Sequence, residues 1–599
     1  MKFNGTWQVR LAQVVLGAVI VIVLTVVRRT NAEHEPVHLV TDWSHRHVIF
    51  SAPHDLMQQF RLSTDPRYVQ QLIRRNDARE EDRDRWRWRR APEDPDTIQS
   101  DWSIYMGSGA TVGAGNFPAK FSFNTGTATC ATDFVAYNTS LAGSTAQASV
   151  VAFNNLYVAA SGGLCGTAPS TYWAFNTGGT VATSLVLSLD GSQVAFVQNN
   201  SAGTQATLVL LKWAANSGTI MSPDTLTAVT PVAYTTCSGA CMTTFNFSTV
   251  PGDLNADDTL SSPFVDYAHD TLFAGDSKGY LHKFTNVFHG TVSTPPAETV
   301  STGANIWPAL VSSGYALTDP VFDNGTGSVF VGSPFGTLKR VDATTGGTIA
   351  KTVQIAFSGA NFESPILDET NGKLYLIVSQ SDAVTTGQTM NASAVYTFPT
   401  TFTGIGTSYG TQTILSTSGA GTNVYSGAFD NQWFLGHAGN MYVCAPTASN
   451  ISTLYQIAVS NTGVLGTVST GPALTTGASV CSFVTEFFNS NNTSVAHPAG
   501  TDLIFLSATA LNVMAAPVDC STNTGCLMSF DVTSGAAITT STGTVATRPE
   551  SGGTSGIIID GSSASTGASQ VYFTPLGSQT CGTGGTGGCA IQASQSGLN

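Results

Sequence analysis

Charged residues are scarce in this sequence, and they are unevenly distributed. Asp, Glu, Lys and Arg make up 10% of the 599 residues, and after residue 101 nine Lys and Arg stand against 24 Asp and Glu. Such an acidic surface repels the phosphate backbone of DNA and RNA. We therefore expect no nucleic-acid partner for this part of the chain.

Candidate catalytic residues are equally scarce. Glycoside hydrolysis needs two carboxylates about 5–10 Å apart, but Glu is rare after residue 101 and the sequence brings no two carboxylates together. The glycine-rich stretch 577–588 is bracketed by cysteines, and we interpret it as a disulfide-tied loop, not as a phosphate-binding loop. Catalytic residues stay unknown, and the sequence favours a non-catalytic protein.

Cysteine is absent before residue 130, and the ten cysteines after that point fall into neighbouring couples. An even number of cysteines behind an export-like segment favours disulfides and an oxidising compartment. The alternative, a zinc site, lacks a second cysteine pair or a histidine near the closest couple. The predicted disulfide couples are Cys130 with Cys165, Cys237 with Cys241, Cys444 with Cys481, Cys520 with Cys526, and Cys581 with Cys589.

A single long hydrophobic run lies near the N-terminus. Residues 11–27 are uncharged and follow Lys2 and Arg10. Seventeen residues reach the lower limit for a membrane-spanning helix and exceed a usual signal-peptide core. Residues 1–32 are therefore predicted to be a signal peptide, cleaved after Ala32, or an uncleaved membrane anchor helix, and both alternatives stay open. Either one places the rest of the chain outside the cytoplasm.

Residues 33–100 differ from both flanking regions, because they contain eleven arginines and five histidines. Residues 56–76 have the spacing of a helix. Basic residues beside tryptophan could bind nucleic acid or anionic surfaces, and closely spaced histidines could bind metal. Interleaved Glu and Asp favour a solvated spacer instead. We expect a charged, partly helical arm or linker between the N-terminal helix and the remainder of the chain.

Residues 101–599 repeat a unit of short apolar strands separated by turns. In one unit, Ser261–Asp266 is followed by Thr271–Gly275 and then by Gly279–Phe284, and similar units start near Thr318 and Glu363. Repeats of this length indicate a β-propeller. The first strands of the units begin near Pro118, Ser184, Ser261, Thr318, Glu363, Tyr425, Val480 and Thr554.

These starts predict an all-β propeller of about eight four-stranded blades, although seven blades, or an array of β-sandwiches, are alternatives. The last unit has a third strand near Cys589–Ala593 and lacks a fourth. The segment Asp101–Met106 precedes the first unit and has no blade of its own. It is predicted to supply the missing outer strand, which would close the ring and cover an exposed sheet edge.

Acidic residues recur in two places. Asp190, Asp266, Asp323, Asp368 and Asp430 end the first strands, where Asp side chains commonly bond to turn backbone. The best metal candidate is the stretch 251–258, whose acidic and amide side chains resemble the start of a calcium loop. The two interpretations of this stretch are a calcium site and an acidic surface loop without metal. The candidate ligands are Asp253, Asn255, Asp257 and Asp258.

The segment Tyr172–Gly179, followed by Thr183–Gly191, resembles the repeat of quinoprotein-like propellers, and Val341–Gly346 looks like their Asp-x-x-Thr-Gly turn. Asp42–His47 and Asp101–Gly109 are similar to segments of uncharacterised exported bacterial propeller proteins. The resemblance implies a propeller over 101–599. Quinone-dependent members bind pyrroloquinoline quinone and calcium in a central funnel. This chain lacks their adjacent cysteines and regular tryptophans, so we expect no quinone.

Three functional hypotheses follow. The first is a non-catalytic extracytoplasmic scaffold, anchored or secreted, whose propeller face binds a protein or a polysaccharide. The second is a quinoprotein-like or glycan-cleaving enzyme with its site in the funnel. The third is a surface adhesin, which the abundant Thr, Ser and Gly favour. All three rest on fold-level analogy.

Overall fold

The computed structural model describes residues 37–76 and 98–595, with gaps at 126, 159–162, 167, 201, 248–258, 260, 302, 304–305, 334–335, 358–362, 383–387, 420–421, 448, 490–499, 510–519, 521–524, 539–543 and 562–568. The hydrophobic N-terminal run and the candidate calcium loop lie outside this part. Within it, no helix is long and apolar enough to cross a membrane. Residues from His38 onward belong to one compact unit.

Strands dominate this unit, and its helices are short. The helices are α1 (Ser44–His47), α2 (Leu56–Leu62), α3 (Pro66–Asn76), α4 (Pro231–Thr236) and α5 (Asn431–Phe434). The strands are β1 (Leu39–Thr41), β2 (Val48–Ile49), β3 (Gln99–Gly107), β4 (Ala119–Ser122), β5 (Phe134–Asn138), β6 (Val150–Asn154), β7 (Ser170–Asn176), β8 (Thr180–Val181), β9 (Val186–Leu187), β10 (Gln193–Asn199), β11 (Ala206–Lys212), β12 (Asp224–Thr225), β13 (Cys241–Asn246), β14 (Phe264–Asp266), β15 (Thr271–Gly275), β16 (Tyr280–Thr285), β17 (Ala297–Glu298), β18 (Ala309–Leu310), β19 (Val321–Asp323), β20 (Ser328–Ser333), β21 (Thr337–Asp342), β22 (Thr348–Thr352), β23 (Ile366–Asp368), β24 (Lys373–Val378), β25 (Ser393–Pro399), β26 (Ile405–Ser408), β27 (Thr411–Ser416), β28 (Ala428–Phe429), β29 (Gly439–Pro446), β30 (Ile451–Val459), β31 (Leu465–Ala478), β32 (Thr485–Asn489), β33 (Thr501–Ala508), β34 (Cys526–Asp531), β35 (Thr544–Pro549), β36 (Ile558–Asp560), β37 (Gln570–Phe573), β38 (Gln579–Thr580) and β39 (Thr586–Ser594).

The strands form eight sheets, which are the eight blades of a β-propeller, and the alternative of seven blades is excluded. Within each blade the main strands pair antiparallel in chain order from the central channel outward. The innermost strands of blades 1 to 8 are β4, β9, β14, β19, β23, β28, β32 and β36. They follow the eight starts that the sequence predicts, with the first near Pro118 and the last near Thr554.

The middle strands are apolar because both faces of a blade are covered by neighbouring blades. All seven residues of β10 are buried, and so are all five of β5. Such a strand lacks the alternation of polar and apolar residues that a sheet with one wet face shows. The hydrophobic core is therefore spread between the blades around the ring.

The ring is closed by an N-terminal strand, as predicted. β3 pairs antiparallel with β39 as the outermost strand of blade 8, with Ser103 opposite Ile591. Lys120 of blade 1 also forms a buried ion pair with Asp560 of blade 8, with 2.9 Å between Nζ and Oδ2 and both side chains at most 2% exposed. Blades 1 and 8 are thus joined through a strand and through an ion pair.

Disulfides join each of the five cysteine couples that the sequence suggests. Four of them tie turns or loops within one blade. The fifth, between Cys444 at the end of β29 and Cys481 before β32, connects blade 6 to blade 7. Every cysteine is bonded, which indicates an oxidising environment. The other pairs are Cys130–Cys165, Cys237–Cys241, Cys520–Cys526 and Cys581–Cys589.

The predicted arm at 33–100 differs from the structure in its described part. Residues 56–62 and 66–76 are helical, as the spacing indicates, but residues 38–51 are not a solvated spacer. β1 pairs with β4 and β2 pairs with β23, so both lie against innermost strands. Trp43 and His47 are at most 1% exposed. Contacts with distant blades, which a local charge pattern does not reveal, bury residues 38–51.

Candidate functional site

One mouth of the central channel is ringed by hydrogen bonds between successive blades, formed where the innermost strands begin. We call this ring the collar. Its short polar side chains reach the backbone of the next blade, so it holds the eight blades at a fixed spacing. Its bonds run from Phe117 N to Ser184 Oγ, Ser184 N to Ser262 Oγ, Ser262 N to Asp319 Oδ1, Ser364 Oγ to Asp319 O, Ser426 N to Glu363 Oε2, Val484 N to Ser426 O, Thr485 Oγ1 to Ile557 O, and Gly556 N to Asn116 O.

The channel inside the collar is filled by the chain itself. We call residues 38–51 the plug. β1 runs antiparallel to β4 of blade 1, α1 reverses the chain, and β2 runs parallel to β23 of blade 5. Blades 1 and 5 lie opposite each other in a ring of eight. The plug is therefore a U-shaped insert that crosses the channel and completes the sheets on two sides.

The turn of the plug rests on the collar. Trp43 Nε1 donates to Pro263 O of blade 3 at 3.1 Å. On the other side, Arg46 donates to Val484 O at 2.5 Å and to Thr485 Oγ1 at 3.1 Å, both in blade 7. The Arg46 guanidinium also stacks over the Phe117 and Phe483 rings, a favourable arrangement for a desolvated cation.

Helices α2 and α3, which we call the cap, hold the two arms of the plug together. Gln70 Oε1 accepts from Val40 N in one arm, and Gln71 bonds both N and O of Phe50 in the other. Arg67 lies 4.3 Å from the centre of the Phe264 ring of blade 3. The cap therefore binds the plug and the blades at the same time.

Burial sets the charge state of the plug histidines. Burial and the neighbouring Arg46 cation lower the pKa of His47 to about 3. Burial also lowers the pKa of His45, although Asp42 opposes this. Both rings are therefore neutral at pH 7. His45 Nδ1 donates to Asp42 Oδ1 at 2.9 Å, and its Nε2 has no hydrogen-bond partner.

Two buried carboxyl groups belong to the collar. Burial raises the pKa of Asp319 to about 7. Burial and the charge of Asp319 raise the pKa of Glu363 well above its usual value. Each accepts a backbone N–H of a neighbouring blade, and Glu363 Oε1 lies 3.8 Å from His47 Nε2. These carboxyls are engaged in holding blades together, which leaves them poorly placed as free acid and base.

A cavity of about 100 Å³ remains beside the plug. The plug contributes His45 and Arg46, and the cap contributes Arg74 and Arg75. Apolar side chains of blades 5 to 8 form the remaining wall, with Ile366, Phe429, Val484 and Ile558 among them. Small-molecule sites usually start at about 300 Å³. A quinone in the channel would therefore have to displace the plug.

A second buried charge cluster lies in blade 3. His282, which is fully buried, donates from Nδ1 to Glu298 Oε1 at 2.7 Å and lies 3.2 Å from Asp276 Oδ2 through Nε2. The Phe247 ring stacks on it at 4.2 Å. Burial lowers the pKa of His282, but bonds and charges of the two carboxylates outweigh burial and raise it above its usual value.

The residues that the sequence singles out are scattered. Asp253, Asn255, Asp257 and Asp258 lie outside the described residues, so calcium binding there stays a prediction. Four of the five aspartates at the ends of the first strands accept turn N–H groups, as Asp323 does from Gly325, and Asp430 instead caps α5 by accepting from Trp433 N. Among the described residues, no three His, Cys, Asp or Glu side chains converge as metal ligands.

One sequence pattern needs its structural context. The residues Gly406-Thr-Ser-Tyr-Gly410 have the Gly-x-Ser-x-Gly spacing of serine hydrolases. Ser408 ends the short strand β26, and β27 follows after a turn. A nucleophile elbow needs a strand-to-helix turn, but here the pattern links β26 of blade 4 to β27 of blade 5, so it does not form a nucleophile elbow.

Sequence reasoning missed the plug. The run Val48-Ile-Phe50 and the lone Trp43 are apolar residues inside a charged segment, and they were the available signal. The surrounding arginines and histidines obscured it. Several plug residues contact partners more than 200 residues away in the sequence, as Trp43 contacts Pro263.

Comparisons with known proteins add no functional assignment. No protein-family model and no curated protein matches the chain. Solved structures are similar at 8–13% identity. BamB from Moraxella catarrhalis has a TM-score of 0.35 at 9% identity and covers 83% of this chain and 97% of its own. Sqt1 from Saccharomyces cerevisiae has a TM-score of 0.43 at 10% identity and covers 83% and 100%. Because these TM-scores are below 0.5, we draw no functional conclusion from the similar structures.

Proposed function

We propose that this protein is a non-catalytic, extracytoplasmic β-propeller scaffold that binds a protein partner on the face formed by the cap. The observation that carries this proposal is the plug. Residues 38–51 occupy the channel in which the resemblance to quinoproteins implies a cofactor. A propeller closed in this way offers its faces and edges to partners, not a deep funnel.

The cap offers a surface suited to a protein. Leu56, Met57 and Phe60 of α2 are 71–81% exposed. Exposed apolar residues grouped on one short helix are a common mark of a protein-binding patch. A polysaccharide would need polar and aromatic contacts instead, so this patch favours a protein over the polysaccharide alternative.

The compartment is part of the proposal. The five disulfides are compatible with an oxidising space outside the cytoplasm. Residues 1–32 would act as a signal peptide or as a membrane anchor, and an uncleaved anchor would keep the propeller at the membrane surface. Calcium in the 251–258 loop would be structural, not catalytic.

The enzyme alternatives predict different observations. A quinoprotein-like enzyme would carry stoichiometric quinone, and a glycan-cleaving enzyme would turn over a sugar polymer with a bell-shaped pH profile. Both would require a channel free of the plug. A surface adhesin would share the propeller but lose cell attachment when residues 101–599 are deleted.

Native mass spectrometry of the protein from its own host tests the proposal. We expect a second polypeptide bound to the wild-type protein. The variant Leu56→Ser/Met57→Ser/Phe60→Ser should lose it while its melting temperature stays unchanged. The exposed residues Ile405 and Val464 provide a matched control, Ile405→Ser/Val464→Ser, which should retain the partner. A bound quinone, or a partner retained by the α2 variant, would contradict the proposal.

A further inference from the structure

Three arginines line the cavity beside the plug, Arg46, Arg74 and Arg75, against two carboxylates, Asp42 and Glu486. Arg75 is paired with Glu486, with 2.6 Å between Nη2 and Oε2. Arg74, which lines the same cavity, has no such partner: among the described residues no carboxylate lies within salt-bridge distance of it, and its buried Nε makes no hydrogen bond. The carboxylates of Glu486, Asp42 and Asp560 act on the Arg74 cation only from beyond salt-bridge distance. Its buried Nε–H is left without an acceptor, which is unfavourable.

Two further groups in this cavity are unsatisfied. Arg46 uses its terminal nitrogens on blade 7, but its Nε is buried without a partner. His45 has a side chain that is 2% exposed, and its Nε2 also lacks a partner. A buried polar atom without a hydrogen-bond partner costs desolvation free energy. Three such atoms, on Arg46, Arg74 and His45, lie around one cavity.

We propose that this cavity binds a small oxyanion, an inorganic phosphate or a short-chain carboxylate, between Arg46, Arg74 and His45. An oxyanion supplies acceptor oxygens for guanidinium donors in the geometry that arginine favours. Neutral His45 Nε2 can accept a hydrogen bond from the P–O–H group of hydrogen phosphate, whereas a carboxylate has no such hydrogen and would be held by the two arginines alone. A cavity of about 100 Å³ is smaller than the about 150 Å³ that encloses a benzene, which limits the ligand to this size class.

The lowered pKa values of two arginines agree with this inference. Burial and the neighbouring Arg75 lower the pKa of Arg74 to about 10. Burial lowers the pKa of Arg46 to about 10 as well. A bound anion would reverse both changes. Because His45 and Arg46 belong to the plug and Arg74 to the cap, the anion would also bind the plug to the cap.

Calorimetric titration of the full-length protein tests this inference. The protein is prepared in chloride buffer and titrated with phosphate, acetate or propionate at constant ionic strength, and its melting temperature is recorded with each anion. We expect saturable binding of one anion per chain and a higher melting temperature. Stronger binding of phosphate would identify an inorganic oxyanion. Stronger binding of propionate would identify a carboxylate whose chain lies on the Phe429 and Ile558 wall.

Variants of two arginines provide the control. Arg74→Gln should weaken binding by about tenfold or more, the usual loss for a charged hydrogen bond, and should not lower the melting temperature in chloride. Arg74→Lys should recover part of the affinity. Arg61→Gln, in α2 and bonded to Glu369 O away from the cavity, should bind as the wild type does. Absence of any anion effect, or equal binding by Arg74→Gln and Arg61→Gln, would overturn the inference.

Discussion

Trp43 in the plug donates its indole N–H to the carbonyl oxygen of Pro263, 220 residues later, at the start of blade 3. The indole ring is also buried edge-on against His47 and Phe264. A single side chain thus joins the N-terminal segment to the collar. This contact explains why a segment with the composition of a linker has a fixed place in the channel.

Removing the Trp43 side chain should destabilise the protein. Trp43→Ala leaves a cavity at the centre of the ring, and we expect a loss of about 3–5 kcal/mol. Trp43→Phe retains an aromatic ring but leaves the Pro263 carbonyl without its hydrogen-bond donor, and we expect a loss of stability of about 1–3 kcal/mol. Urea denaturation of both variants, followed by circular dichroism, measures the difference. Equal stability of Trp43→Ala and wild type would show that the plug is not held in the channel.

The ion pair between Lys120 and Asp560 should be necessary for ring closure. Lys120→Met leaves the buried Asp560 carboxylate without its cation, and we expect a loss of about 3–5 kcal/mol. The double variant Lys120→Met/Asp560→Asn removes both charges and should recover most of this loss. Thermal denaturation compares the three proteins. Additive losses in the double variant would mean that the two residues act independently.

His282 should make stability depend on pH. Its pKa is raised in the folded protein, so its contribution is complete below the unfolded pKa near 6.5 and disappears as the pH rises through the folded pKa. The difference in melting temperature between wild type and His282→Gln should therefore decrease from pH 6 to pH 9. The variant His289→Gln, at an exposed ring, is the control. A difference that grows with pH would contradict the assigned charge state.

The disulfide between blades 6 and 7 should contribute more than the hairpin disulfide of blade 8. The sequence separations are 37 residues for Cys444–Cys481 and 8 for Cys581–Cys589. A disulfide that closes a longer loop removes more conformational entropy from the unfolded chain. The difference in stabilisation between the two disulfides is about 1 kcal/mol. The variants Cys444→Ser/Cys481→Ser and Cys581→Ser/Cys589→Ser, compared by urea denaturation, test this order. A larger loss in the second variant would contradict it.

The blades were predictable because their signals are local. Each unit has an apolar strand, a turn residue such as Asp323 and a second apolar strand within about 15 residues. The closing strand β3 followed from counting, since the last unit lacked one strand. Sequential cysteine couples are also local in this fold.

The plug and the cavity could not be predicted from local sequence signals, because they depend on contacts between distant parts of the chain. The burial of Arg46 depends on Phe117 and Phe483, which lie in blades 1 and 7. A sequence pattern assigns such an arginine to solvent, because isolated charged residues are rarely buried. The anion-site residues Arg74 and His45 come together only after α3 packs over the channel.

Hydrogen exchange measured by mass spectrometry on the full-length protein tests the central claim most directly. If residues 38–51 fill the channel, the amides of Val40 and Phe50, which bond to Gln70 and Gln71, should exchange as slowly as those of the innermost blade strands. Exchange of these amides within seconds, while β4 and β23 stay protected, would show an open channel and would contradict this account.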